Sequence, residues 1–420
     1  MRKMSIVAAL ALTTSLTTNL APAYADMSVE VMHFWTSGGE AAALATIRDA
    51  VVAQGVAWVD APVAGGGGDQ AKTVLQARIT AGDPPAAMLI LGQNILDWAN
   101  AGLLGNVDAV AAAGNWDAVL PQAVQDFTKV DGHYVSVPTN VHRTDMMWVN
   151  VAAFEKIGAA YPTTWEEFNA LAPRFEAAGI LPIAHGGQSW QEMYMFEAVA
   201  LGIGGADFYR SALVDLDDAT LRGDTMVATF TQMAALRGMI DENAPGRDWN
   251  LASAMVINGE AAVQIMGDWA KGEFTNAGQV AGVEFDCVPV PKAAGDGFVY
   301  LVNSLSMFTQ TDPDRIAAQD VLAAAIMDPA VQVAFNQAKG AIPARTDVDL
   351  TAMDACAQAT AAAFVANDAA GTAVPTFAGT HAAPANIVGA ATDAVTEFMN
   401  SDMAPADGAT LLADSIAAAM

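Results

Sequence analysis

The sequence predicts an α/β protein built as two lobes. Three observations carry this. A strand, a glycine turn and a helix recur in that order along the N-terminal part of the chain, which is the pattern of a parallel sheet with its ligand-facing loops at the carboxyl ends of the strands. The chain has 420 residues, enough for two or three domains of ordinary size. Finally, 53% of the residues are hydrophobic and only 15% are charged, which suits large packed cores rather than a disordered polyanion.

Taken in order, the chain opens with Met1-Arg2-Lys3, an apolar stretch from Ile6 to Leu12 and a small-x-small site, Ala23-Tyr24-Ala25. This is the form of a secretory signal peptide, with cleavage expected after Ala25. The apolar core, broken at Thr13, is too short to cross about 30 Å of hydrocarbon, so no stable membrane insertion is expected. Ser28 to Trp35 reads as a strand, Gly38-Gly39 as a turn and Glu40 to Gln54 as a helix. A second strand, Val56 to Val63, ends in Gly65-Gly66-Gly67-Gly68-Asp69, with a helix over Gln70 to Thr80. Ala86 to Leu91 is a third strand.

Beyond it, Thr164 and Glu167 form a capping box at the start of a helix whose Phe168, Leu171 and Phe175 share one face. Asp312-Pro313 and Asp328-Pro329 each pair an N-cap with a first-turn proline, and the second of these helices closes at Lys339-Gly340. Phe285 to Val290 and Phe298 to Phe308 read as strands. Export permits a disulfide between Cys287 and Cys356, the chain's two cysteines; two unpaired core thiols are the equal alternative.

With 18 basic and 46 acidic side chains the formal charge is −28. Nucleic acids and anionic membranes are therefore excluded as partners, because both are recognised by clustered Lys and Arg. For an exported, freely diffusing monomer the same charge confers solubility. Gly187-Gln188-Ser189-Trp190-Gln191 departs from the G-x-S-x-G nucleophile elbow at its last position, and the five histidines show no metal-ligand spacing. No enzymatic activity, metal or cofactor is expected. An exported glycoside hydrolase remains the weaker alternative, since nothing localises a carboxylate pair.

The segments P-T-T-W-E-E-F-N-A-L-A-P-R-F-E-A-A-G-I-L-P-I-A (Pro162 to Ala184), V-P-T-N-V-H-R-T-D-M-M-W-V-N (Val137 to Asn150), I-N-G-E-A-A-V-Q-I-M-G-D-W (Ile257 to Trp269) and A-G-D-P-P-A-A (Ala81 to Ala87) together resemble the extracellular solute-binding proteins of carbohydrate ABC transporters. This is the maltose-binding-protein-like family. The stretches H-F-W-T-S-G-G-E, A-G-G-G-G-D and G-T-H-A-A-P are most similar to its glucose- and mannose-binding branch.

The resemblance implies the type II periplasmic-binding-protein fold: two α/β lobes joined by crossing strands and closing on a sugar by hinge motion. It places lobe 1 at 26–138 with 290–345 and lobe 2 at 139–289 with 346–420. The implied partners are a carbohydrate and the permease subunits of an ABC transporter, and the implied location is the periplasm. A glucose-like monosaccharide is the first expectation. A substituted sugar, an oligosaccharide or a polyol is the alternative.

A pyranose offers apolar C–H faces and a rim of hydroxyls, so its receptor needs flat aromatic walls and a few hydrogen-bonding groups. Trp35 and Glu40, after the first strand, fit that demand, as does Trp269, which the resemblance places on the opposite lobe. The resemblance implies a second-lobe wall at Gln188 and Trp190, and it places Lys339 and His381 at sugar-contacting positions of the branch. Asp69 either accepts a hydroxyl bond or caps the helix that follows it. Two departures from the branch bear on the ligand. Asn303 stands where relatives carry Asp, and Leu89 and Leu91 stand where they carry polar or basic residues, with Gln93 and Asn94 as substitutes from the loop.

Overall fold

A computed structural model describes residues 27–420. The expected signal peptide lies outside the described residues. Strands β1 (Ser28–His33), β2 (Ala57–Pro62) and β3 (Ala87–Leu91) follow the predicted alternation with helices Gly38–Ala53 and Asp69–Thr80. A small ribbon, β4 (Lys129–Val130) and β5 (His133–Tyr134), precedes β6 (Ser136–Arg143) and β7 (Met146–Asn150). Then come β8 (Leu181–Ile183), β9 (Ala261–Ile265), β10 (Phe285–Pro289), β11 (Phe298–Met307) and β12 (Ala373–Pro375).

Two sheets result, each at the centre of its own lobe. The first has the order β12-β11-β3-β1-β2, with β6 pairing the other side of β11; the second has the order β10-β7-β9-β8. All ten residues of β11 and all eight of β6 are buried, as expected of strands covered on both faces. By contrast, β2 is an edge strand, largely exposed and ending in Pro62, which cannot extend the ladder. One apolar cluster, with Val31, Leu89, Val302 and Leu322, fills the first lobe. Another, with Phe154, Phe168, Phe196 and Phe398, fills the second.

Local sequence explains the helices that frame the cleft. Ser37 and Glu40 form a capping box on Gly38–Ala53, and Thr164 and Glu167 do the same on Trp165–Ala177. Asp328 caps Pro329–Lys339 by accepting from the backbone of Ala330 and Val331, and Gly340 ends that helix in the left-handed conformation. Among the described residues no single helix is long and apolar enough to span a membrane.

The lobes are stitched where the chain crosses between sheets. Asp145, between β6 and β7, receives a bidentate bond from Arg143 and accepts from the Val299 backbone at 2.9 Å, while its own carbonyl accepts from Val290. Glu197, wholly buried on helix Ser189–Tyr209, accepts from Thr144, Thr376, Tyr209 and the backbone of Phe377 and Ala378. Burial pushes its carboxyl up to about 7, against the pull of those hydrogen bonds.

One expected boundary is corrected. The chain does not return to the second lobe at 346, because β12 pairs in parallel with Phe298–Tyr300 and Phe364 of helix Ala355–Ala370 packs on Phe298 and Tyr300. The return comes after β12, leading to helix Ala385–Met399 in the second core. The other two crossings lie at Thr144–Asp145 and between β10 and β11. Cys287 and Cys356 form a disulfide, which closes the question the sequence left open; their Cα atoms are 6.1 Å apart.

Candidate functional site

A cavity of about 320 Å³ lies between the lobes. Its floor follows from strand register. In antiparallel pairs, directly opposed residues share a face. Asn303 is opposite Leu91, and Leu301 is opposite His142, so all four side chains meet on one face at the middle of the first sheet. The walls are aromatic: Phe34, Trp35, Trp190, Tyr194, Trp249 and Trp269.

Trp35 emerges just past β1, where its backbone N–H donates to His33 Nδ1 at 3.2 Å and His33 Nε2 bonds Asp60 at 2.9 Å. Its ring packs on Phe335 and lies under the Lys339 ammonium, 5.6 Å from the ring centroid. Lys339, held at the C-terminus of its helix, donates to Glu40 Oε1 at 3.1 Å, and both side chains are nearly closed off from water. Glu40 Oε2 also accepts from the backbone of Thr36 and Ser37. A charge that would be costly alone is thereby neutralised inside the wall, and Lys339 keeps donors free.

On the facing lobe Trp269 stands edge-on to both His142 and Tyr194, each ring centroid 5.2 Å away. Trp190 and Tyr194, one helical turn apart, are in turn edge-to-face at 5.9 Å. Trp190 Nε1 donates to Gln188 Oε1 at 2.8 Å, and Gln188 donates to Asp248 Oδ1 at 2.6 Å, which fixes the second-lobe rim. His142 Nδ1 bonds Asp268, whose other oxygen accepts from the Arg143 backbone at 3.0 Å; burial holds the imidazole below its ordinary pKa despite that carboxylate.

Of the expected residues, the structure brings Trp35, Glu40, Gln188, Trp190, Trp269, Asn303 and Lys339 to this cavity. Three others lie elsewhere. Asp69 is exposed at the first position of its helix and pairs with Lys72 at 3.4 Å; Gly68, not Asp69, is the cap. Gln93 lies outside the lining: its backbone N–H donates to the Thr380 carbonyl at 2.8 Å and its side chain donates to the His381 carbonyl at 3.4 Å, next to Gly92, where a Cβ would come within 2.3 Å of the Thr380 carbonyl. His381 is spent on backbone. Its Nδ1 bonds the Gly379 carbonyl at 2.9 Å, its Nε2 accepts from the Val302 N–H at 3.1 Å, and burial pushes its pKa down to about 4.

The sequence reading passed over Phe34, His142, Tyr194, Trp249 and Asn250, all of which line the cavity. Tyr194 was readable, since four residues after Trp190 on a helix is the same face. Phe34 is adjacent to Trp35 but points toward a second cavity as well. His142 has no local signal, for its partner Asp268 is 126 residues away.

Three comparisons place this geometry among known proteins. Residues 39–330 match the bacterial extracellular solute-binding protein family. A probable sugar-binding periplasmic protein of Rhizobium meliloti (strain 1021) is 50% identical over 365 residues, covering 87% of each chain. One of the same description from Brucella suis is 48% identical, covering 88% of this chain and 87% of that one. The maltose-bound MalE3 structure from T. maritima superimposes with a TM-score of 0.77 over 94% of this chain and all of the other, at 16% identity. That likeness speaks for the fold: two α/β lobes of the type II periplasmic-binding-protein kind.

Proposed function

The chain belongs to the bacterial extracellular solute-binding proteins, and on that premise we propose that it is a periplasmic sugar receptor of an ABC importer, which holds a carbohydrate in its aromatic cleft and presents it to the permease. It acts as a transport receptor and not as an enzyme. The signal peptide is removed after Ala25, and the mature chain works as a monomer.

The observation that carries this reading is the cleft itself: six aromatic side chains around three neutral amides, an imidazole, the Asp248 carboxylate held by Gln188, and a Lys–Glu pair whose charges cancel within the wall. Flat apolar faces with sparse, mostly uncharged hydrogen-bonders suit a neutral sugar ring and suit an anion, a peptide or a lipid poorly. Trp35, Glu40, Gln188, Trp190, Trp269, Asn303 and Lys339 are the ligand-binding residues of this reading. The volume, at the small end of ligand pockets, favours a glucose-like monosaccharide over a long oligosaccharide. Micromolar affinity requires about 8 kcal/mol, within reach of stacked aromatic faces and several hydroxyl bonds.

A second reading, a substituted sugar or a disaccharide, has its own support. Leu91 and Leu301 give the floor an apolar edge, and a further cavity of about 340 Å³ shares Phe34, Gly67 and Leu91 with the first. A thermal-shift panel of monosaccharides, disaccharides, alkyl glycosides and polyols on the mature protein separates the two. A monosaccharide giving the largest rise in melting temperature supports the first reading, and an alkyl glycoside or disaccharide supports the second. If no carbohydrate or polyol raises the melting temperature, the carbohydrate reading is wrong.

A further inference from the structure

His142 differs from every other polar group in the wall. It is 1% exposed, and its Nε2 is buried without a hydrogen-bond partner. Nδ1 faces the Asp268 carboxylate, which can only accept, so Nδ1 carries the proton and Nε2 is left as a bare acceptor. The charged groups around the ring are Asp268 and Glu40, which favour the cation, and Lys339, which opposes it; burial, with Lys339 on its side, outweighs the two carboxylates and holds the imidazole below its ordinary pKa. The orientation is fixed as well, by Asp268 on one edge and by the Trp269 ring packed against it. The anionic acceptors of the wall are already engaged, Glu40 by Lys339 and Asp248 by Gln188.

We propose that His142 Nε2 accepts the proton of one hydroxyl of the bound carbohydrate and so determines specificity at that position of the sugar. This rests on the carbohydrate reading of the cleft. A ligand must then bring an O–H to the floor beside Leu301. A deoxygenated carbon leaves Nε2 unpaired, and a carboxylate or ether oxygen sets lone pair against lone pair. Leaving such an acceptor unpaired weakens binding roughly 5- to 150-fold.

The test uses the mature wild-type protein and His142→Leu, titrated calorimetrically with D-glucose, D-galactose and D-mannose and with the monodeoxy analogues of whichever binds. One deoxy position is penalised tenfold or more in the wild type, and that penalty falls to about twofold in the variant. A purely structural role for His142 weakens every sugar alike and leaves the deoxy pattern unchanged, an outcome that overturns the proposal. Imidazole 15N spectra of the wild type, with His142→Gln identifying the signal, give a second readout. The proposal requires an unprotonated Nε2 in the sugar-free protein, shifted by the sugar and not by its penalised deoxy analogue. A protonated Nε2, or the same shift with both, overturns it even if His142→Leu does not fold. Absence of binding by every neutral sugar overturns the carbohydrate reading and this proposal together, whereas binding with an unchanged deoxy pattern overturns this proposal alone.

Discussion

Single side chains decide what the cleft holds. Trp269, on the second lobe, has His142 and Tyr194 both edge-on to it. Trp269→Ala removes that face and is expected to weaken sugar binding by about 2 kcal/mol or more, roughly 30-fold in Kd, and, because the ring is buried in a core cluster, also to lower the melting temperature of the sugar-free protein; calorimetry and a thermal melt check both halves. His381 has a different part, holding the Gly379–His381 loop onto β11. Its folded pKa, about 4, is depressed from an ordinary 6.5, so its unfolded form binds a proton that the folded form refuses across that window. The stability it contributes is present above pH 6.5 and lost as pH falls toward 4. His381→Gln should therefore show a shallower fall in melting temperature between pH 7 and pH 5 than the wild type. What the sequence could convey at this scale was residue type near a strand end. That pointed to Trp35, and the family resemblance pointed to Trp269 and Lys339, but neither carried information on the backbone groups that consume both nitrogens of His381, or on the distant Asp268 that orients His142.

Elements were legible where the pattern is local. The capping box at Thr164 and the first-turn prolines after Asp312 and Asp328 rest on neighbours within four residues, and those helices lie where expected, whereas Gly38-Gly39, expected as a turn, already belongs to the helix that Ser37 caps. β12 was missed because three residues carry no periodicity, and its pairing with β11 is what moves 355–375 onto the first lobe. The contact between elements across the cleft was equally invisible. Gly39, at the start of the first helix, abuts the Gly272 backbone of helix Ala270–Asn276, and its N–H donates to Glu273 at 2.9 Å. A Cβ on Gly39 would lie 2.6 Å from the Gly272 carbonyl carbon. Because Gly272 sits on the second lobe through Phe274, Trp148 and Phe285, that collision is between lobes. Gly39→Ala should disfavour closure and weaken sugar affinity roughly tenfold, about 1.4 kcal/mol, without touching the ligand. Calorimetry gives the affinity, and small-angle scattering should show a larger radius of gyration with sugar present than the wild type has.

For the whole molecule, the segments that cross between sheets are the hinge candidates, and Asp145 and Glu197 tie them to both lobes. A ligand touching Trp35 and Lys339 on one side and Trp269 and Trp190 on the other binds the closed arrangement better than the open one, and by linkage it shifts the population toward closed. The strongly acidic, weakly charged composition fits this picture: −28 in net charge over the chain, with Lys339 and Glu40 cancelling each other in the cleft wall. The central claim is that a neutral sugar occupies the chamber between those tryptophans. Its most direct test is a crystal structure of the mature protein with the sugar that gives the largest thermal shift. The account predicts one pyranose against Trp269, with Lys339 and Asn303 on its hydroxyls and the lobes closed around it. A sugar bound outside this chamber, or inside it without contact to Trp269 and Lys339, would contradict the account.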